Sequence, residues 1–337
     1  MVLTTNAYGQ KSEFKSFTKY AQQQGLSSYN IKKIFKDHRG FLWVATQDGI
    51  NKFDGNSFIK YTHNSEAKHQ INGADIREII EDSVHEKLWI IPTQGNINSI
   101  SLLTGNVIDN IVIPYNDPEG WSLTMLLQKQ KIWIGTFTGV KIYDISTGKF
   151  EEDIKPPVNN TKNSTSFEVG KMFEDSHNNI WVFYCGYGIV VYKADSKKII
   201  KEITLTDLND ILKTGNFRFN DFLFNSPNEI LLATSQGLRK IKFDENYNCT
   251  VINNPCDGFD KINTESVEAI GRTKNKVVLV SAQSNLYAFD NNSFKIHYYK
   301  GNYKRFRGKL VEFRSLYIYR LYRQYCMARF RAGSQFF

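Results

Sequence analysis

Ile31-Lys-Lys-Ile-Phe-Lys-Asp37-His-Arg-Gly40-Phe-Leu-Trp43-Val-Ala-Thr46-Gln-Asp-Gly49-Ile-Asn-Lys-Phe53-Asp-Gly55 contains apolar runs too short for helices, separated by turn residues. The run predicts strands over 31–36, 41–46 and 50–53, with a fourth over 58–61. The Asp-Gly pairs at 48–49 and 54–55 provide the left-handed backbone that tight hairpins need. Asp37 opens the first turn, where a short carboxylate accepts backbone N–H groups.

The same pattern returns five times. The second copy runs from Ile76 to Ile100 with Asp82, Trp89 and Gly95, and the third has Trp133-Ile-Gly-Thr136 and Gly139. The fourth has Asp175, Trp181 and Gly188. The fifth puts Leu231 in the Trp place and keeps Thr234 and Gly237, and the sixth has Leu279 and Asn285. Asparagine at 285 suits the turn because it tolerates the left-handed region. The anchors at 43, 89, 133, 181, 231 and 279 are therefore 44 to 50 residues apart. Four short strands repeated at that period predict an all-β fold, a β-propeller, with six legible blades of an expected seven. The segment Phe14–Tyr20 reads as an orphan outer strand, expected to close the ring by pairing with the last blade.

The array resembles the two-component regulator propeller repeat, on the strength of Phe41-Leu-Trp-Val-Ala-Thr46 and Ile132-Trp-Ile-Gly-Thr136. The resemblance spans about residues 11–299. It implies a periplasmic ligand-sensing domain of a hybrid histidine kinase, often responsive to glycans. It also implies further domains that this chain does not contain, through which a homodimer would form. The kinase is among them, so no enzymatic activity is expected of this chain.

The net charge of +9 has a single source. Residues 300–337 hold ten basic side chains and one acid, Glu312, leaving 33 basic and 33 acidic groups in the other 299 residues. A neutral body with a basic tail is not a nucleic-acid surface. No run of 18 apolar residues exists, so no membrane contact is expected. Residues 1–10 contain Ala7-Tyr8-Gly9, the small-x-small spacing of a signal-peptidase site at the end of an export signal. The expected division is thus 1–10 remnant of an export signal, 11–299 propeller, and 300–337 aberrant.

The tail alternates Tyr and Arg where a seventh repeat belongs, with its anchor due near 327. Met327-Ala328 is encoded ATG-GCN, which a one-base shift reads as TGG, a tryptophan codon. The neighbouring codons permit the rest of the motif after the same shift. The tail therefore reads as an out-of-frame seventh blade.

The four tryptophans fall mid-strand at equivalent places and read as core between blades. The histidines at 38, 85 and 177 lie in first-hairpin turns of separate blades, too far apart to share a metal, and no cofactor motif is present. Cys249 and Cys256 either close a short loop or remain free thiols. Turns joining second to third strands share one rim with the linkers between blades. That rim carries Asp48, Gln94, Phe137, Tyr184, Tyr187 and Gln236, with Tyr115 and Trp121 on a linker. Aromatic faces beside amides and a carboxylate suit an oligosaccharide, whose C–H faces stack and whose hydroxyls need partners. A protein-interaction scaffold and a propeller carbohydrate-active enzyme are the competing readings.

Resequencing the locus between the codons for residues 300 and 315 tests the shifted frame. One added or lost base should restore a Trp-Leu-Gly-Ser-type repeat and, in the corrected protein, one cooperative unfolding transition. An intact frame followed by no further repeat would overturn the reading.

Overall fold

Glycine-bounded turns and β-branched strands fold each repeat into an antiparallel meander. The computed structural model describes residues 14–114, 122–154, 168–185, 187–204, 206–208, 219–252, 262, 265–272, 278–282, 285–289, 296–300, 309–313, 316–317 and 326–332. After β1 (Phe14–Tyr20), blade one consists of β2 (Ile31–Lys36), β3 (Leu42–Thr46), β4 (Gly49–Phe53) and β5 (Phe58–Tyr61). Blade two is β6 (Ile76–Asp82), β7 (Lys87–Pro92), β8 (Ile97–Ser101) and β9 (Val107–Ile111). Blade three is β10 (Ser122–Gln128), β11 (Lys131–Thr136), β12 (Gly139–Asp144) and β13 (Lys149–Phe150). Blade four is β14 (Val169–Glu174), β15 (Asn179–Tyr184), β16 (Gly188–Lys193) and β17 (Ile199–Thr204). Blade five is β18 (Phe219–Ser226), β19 (Glu229–Thr234), β20 (Gly237–Phe243) and β21 (Cys249–Ile252). Blade six is β22 (Val267–Arg272), β23 (Val278–Ala282), β24 (Asn285–Phe289) and β25 (Ile296–Lys300). In each blade the four strands pair in sequence order.

A seventh sheet joins the two ends of the chain. β1 pairs antiparallel with β28 (Cys326–Ala332), which runs parallel to β26 (Lys309–Phe313). β26 pairs in turn with β27 (Leu316–Tyr317). The N-terminal strand thus takes the closing position expected of it, with Tyr20 opposite Met327. The parallel pair departs from the meander of the other six blades. The tail lacks the turn glycines and the apolar second strand that fix that meander.

The second strand of each blade is the most deeply covered. β3 is buried along its whole length, as is β15. Trp43, Trp89, Trp133 and Trp181 are at most 2% exposed. Each packs into the blade that follows: Trp43 among Ile76, Ile79 and Leu88, Trp133 among Val169, Met172 and Val182. Leu231 fills the same role against Val267, Ile270 and Val280. Residues read from spacing as core between blades therefore are that core.

The turn aspartates do more than cap turns. Asp37 accepts the Phe41 N–H at 2.8 Å on one oxygen and the Trp43 indole N–H at 2.8 Å on the other. Asp175 repeats this with the Asn179 N–H at 2.9 Å and the Trp181 indole at 2.9 Å. Burial pushes the Asp175 carboxyl up, but the bonds from Trp181, Asn179 and His177 outweigh it and hold the carboxyl below its ordinary range. A depressed carboxylate lends stability above its unfolded pKa and loses it as pH falls through the folded one. Blades two and three lack this clamp. Asp82 turns to the His85 ring at 2.7 Å, and blade three has no aspartate in that turn. The indole N–H groups of Trp89 and Trp133 are accordingly buried without an acceptor.

Trp181→Phe should therefore cost more than Trp133→Phe, by about 1–2 kcal/mol, because only the first removes a hydrogen bond to a buried carboxylate, which keeps those from Asn179, His177 and Tyr247. Urea unfolding midpoints of the two variants check this. Equal costs would mean that the indole–aspartate bond adds nothing.

Candidate functional site

The rim that was expected to bind ligand is built by one repeated device. Thr46, Thr136 and Thr234 end the second strands of their blades, and each hydroxyl donates to the carbonyl of the glycine three residues on, at 2.7–3.0 Å. The same oxygens accept the N–H of Asp48, Thr138 and Gln236 at 3.0–3.2 Å. Gly49 sits at φ +86°, and a Cβ there would stand 2.2 Å from the Tyr61 carbonyl, so no larger residue fits. Linkers lock onto these turns: Gln47 N–H donates to the Asn30 carbonyl at 2.9 Å, and Gly49 N–H to the Ala74 carbonyl at 2.7 Å. Asn51 and Asn98, equivalent residues of the third strands, accept the linker N–H groups of Ser27 and Asn72 at 2.9 and 2.8 Å.

Asp48 and Gln94 are exposed in these turns, while Phe137, Tyr187 and Gln236 are half-buried. The Tyr187 hydroxyl donates to Glu202 on β17. Tyr115 and Trp121 lie outside the described residues. Tyr184 is not on the rim. It occupies the place of Thr46 and Thr136, three residues past the Trp anchor, where alternation turns the side chain inward. It is fully buried, its hydroxyl lies 3.1 Å from that of Tyr192, and burial pushes its pKa up.

The opposite rim also differs from expectation. First-hairpin turns of neighbouring blades touch rather than stand apart. His38 of blade one reaches Glu81 at 2.5 Å and Glu86 at 3.2 Å in blade two. The Glu81 bond, followed by the nearby acids, raises the His38 pKa. Among the described residues, no three His, Cys, Asp or Glu side chains are placed so that they could hold a metal ion. Cys185 and Cys249 are half-buried free thiols, and Cys256 lies outside the described residues. Burial pushes the Cys185 thiol up to about 11.

Sequence reading missed the polar inner strands. Each inner strand carries a bulge after its first residue, at 31/33, 76/78, 122/124, 169/171, 219/221 and 267/269. The residue after the bulge is Lys33, Glu78, Thr124, Lys171, Asp221 or Ala269 in blades one to six. Ion pairs Lys33–Glu78 and Lys171–Asp221 join neighbouring blades there. Near the rim, Asp75 lies 3.1 Å from Lys32 and accepts from the Thr93 hydroxyl at 2.9 Å. Aligning the first strands of the repeats, rather than their anchors, would have displayed this column of charge.

The two component regulator propeller family matches residues 25–48, the linker and first two strands of blade one with their rim turn. Residues 25–48 carry one copy of the two component regulator propeller repeat. Histidine kinase P4 of Formosa agariphila is 41% identical over 66 residues, 20% of this chain and 5% of that protein. The extracellular domain of a hybrid two component system from B. thetaiotaomicron superposes with a TM-score of 0.64 at 21% identity, over 85% of this chain and 37% of that one. The virginiamycin B lyase of Staphylococcus aureus superposes at 0.61 and 11% identity, over 85% of this chain and 88% of that one. At such identities the likeness to the two solved structures is one of fold. The chain spans well under half the length of the kinase and of the sensor domain.

Tyr184→Ala should destabilise by about 3–5 kcal/mol, as for other large buried aromatics. Asp48→Ala and Gln94→Ala should stay within about 0.5 kcal/mol. Thermal unfolding of the three variants separates core from rim, and a neutral Tyr184→Ala would return that residue to the rim.

Proposed function

We propose that this chain is the ligand-sensing propeller of an extracytoplasmic two-component signalling protein, and that it responds to a glycan held on the rim of the second-to-third-strand turns. The observation that carries the reading is the regulator propeller repeat itself, matched at residues 25–48. The local identity to a histidine kinase supports it. On this reading the domain lies in the periplasm. It passes its signal by docking to domains further along the protein, which also form the homodimer.

The rim's chemistry suits a sugar. Phe137 and Tyr187 offer aromatic faces beside Asp48, Gln94 and Gln236, which can pair with hydroxyls. Tyr115 and Trp121 belong to the same proposed site. The Tyr187–Glu202 bond fixes one ring before any ligand arrives, which reduces the entropy lost on binding.

An enzymatic reading draws on the fold likeness to virginiamycin B lyase. Catalysis needs converging acid, base or metal groups. One titratable cluster among the described residues, His38 with Glu81 and Glu86, lies on the face away from the aromatic turns. The sensor reading therefore stands ahead of it, and ahead of a scaffold without a ligand.

Calorimetric titration with a panel of oligosaccharides tests the proposal. One of them should bind, and Phe137→Ala and Tyr187→Ala should each weaken that binding about tenfold or more, the equivalent of about 1.4 kcal/mol, with unchanged unfolding temperature. Binding unaffected by both changes, or a panel with no binder, overturns the rim site.

A further inference from the structure

Polar contacts of two kinds cross the seam between blades one and two. Arg39 Nη1 donates to the Leu102 carbonyl, and the Tyr61 hydroxyl donates to the Gly105 carbonyl at 2.8 Å. Neither bond changes near neutral pH, since a guanidinium keeps its proton in proteins and burial pushes the Tyr61 phenol up to about 12. The third contact can change. The His38 ring lies between Glu81, near the end of β6, and Glu86, in the turn that follows. Its Nδ1 is 2.5 Å from the first carboxylate and its Nε2 3.2 Å from the second.

An ionised carboxylate only accepts hydrogen bonds, and a neutral imidazole has one N–H to give. With a carboxylate at each nitrogen, a neutral ring satisfies one and turns a lone pair toward the other. Only the imidazolium donates to both. The two carboxylates are not held equally. Glu81 is fixed twice, since its Oε1 also accepts the His38 backbone N–H at 2.9 Å. Glu86 depends on the ring: its Oε1 faces Nε2, and its Oε2 is buried without a partner among the described residues. Its backbone stands at φ +51°, in the left-handed region that a glutamate rarely adopts. The Glu86 carbonyl accepts the Leu102 N–H at 2.8 Å, so this residue also braces the neighbouring turn. Loss of one proton from the ring therefore falls on Glu86.

We propose that His38, Glu81 and Glu86 form a proton-operated latch across this seam, closed while both ring nitrogens carry a proton and released at Glu86 when one is lost. The latch makes protons an input to the domain. It does not depend on the glycan reading, since none of its residues lies on the rim turns. The charges facing the ring are acidic: Asp37 in its own turn, Glu81 and Glu86 across the seam. Other charged groups of these turns are engaged elsewhere, Arg39 with Leu102, Asp82 with the His85 ring and Lys87 with Asp109. The Glu81 bond raises the His38 pKa against a smaller effect of burial, and the three acids add to the rise. A raised histidine lends stability below its unfolded pKa of about 6.5 and loses it as pH rises through the folded one. The latch is thus closed in acid and opens as pH climbs through the His38 titration.

The test follows the 337-residue chain between about pH 5.5 and about pH 8.5 by two readouts. Histidine ring shifts in NMR give the titration, with His38→Gln identifying the resonance. His38 should titrate above the ordinary histidine range, and Glu81→Gln should lower that titration more than Glu86→Gln does. Amide hydrogen exchange, corrected for the intrinsic rate at each pH, reads the seam itself. Protection of the His38 and Leu102 amides should fall about threefold or more as pH rises, while the amides of β15 stay unchanged. In His38→Gln the protection at residues 38 and 102 should no longer vary with pH. Glu86→Gln should keep its protection at high pH, because an amide can accept from Nε2–H or donate to its lone pair. A His38 that titrates at or below the ordinary range overturns the proposal. So does seam protection that is constant in the parent, or that falls with pH in His38→Gln or Glu86→Gln as it does in the parent.

Discussion

A blade of this propeller has two apolar faces and can bury neither by itself. Its second strand is covered on both sides only because one neighbour presses from each direction, and the indole or leucine at the anchor is the piece that crosses the boundary. Everything else is arranged around that constraint. The turn glycines let the strands fold back quickly enough to stack, the rim threonines hold the turns, and the linker N–H groups tie each blade to the next through Asn51 and Asn98. Stability in such a ring is a sum over neighbour contacts, so a break in closure is felt at two interfaces at once. The pairing of β1 with β28 matters for this reason, since it joins residues from opposite ends of the chain.

Those parts of the architecture that rest on local chemistry were readable in the sequence. The first strand of blade one begins and ends where its apolar pattern does, and the anchors at 43, 89, 133, 181 and 231 lie buried at the places their spacing gave them. The failures have a common physical origin. Tyr184 looked like a rim residue because it is aromatic and lies near a turn, but strand alternation places it beneath the turn, with Tyr192 as its partner. The contacts of His38 with Glu81 and Glu86 and the charge pairs of the inner strands link residues some 45 positions apart, across a boundary between blades. Such contacts depend on how blades stack, which a single repeat does not encode. The aspartate–indole bond sits between these cases: both partners are visible six residues apart, but two blades keep the tryptophan and lose the acceptor.

That partial loss shows which part of the repeat carries the energy. Trp89 and Trp133 remain buried without an indole acceptor, so the apolar body of the ring is what the interface requires and its polar edge can be left wanting. The hydrogen bond sharpens the position of the side chain where the aspartate is present. The hydrophobic contact with the next blade does not depend on it.

The bulge in every inner strand has a different kind of consequence. By adding one residue at the same point in all six blades, it sets the residue after it in a column that meets across blade boundaries, as the Lys33–Glu78 and Lys171–Asp221 pairs do. Lysine, glutamate, threonine, aspartate and alanine all occupy that place around one ring. Such a column is open to evolutionary drift in a way the anchors are not. A duplicated blade inherits the scaffold intact, and a single codon then rewrites what that position presents to the next blade. The fold can therefore change the charge at its boundaries one blade at a time while the apolar anchors stay undisturbed.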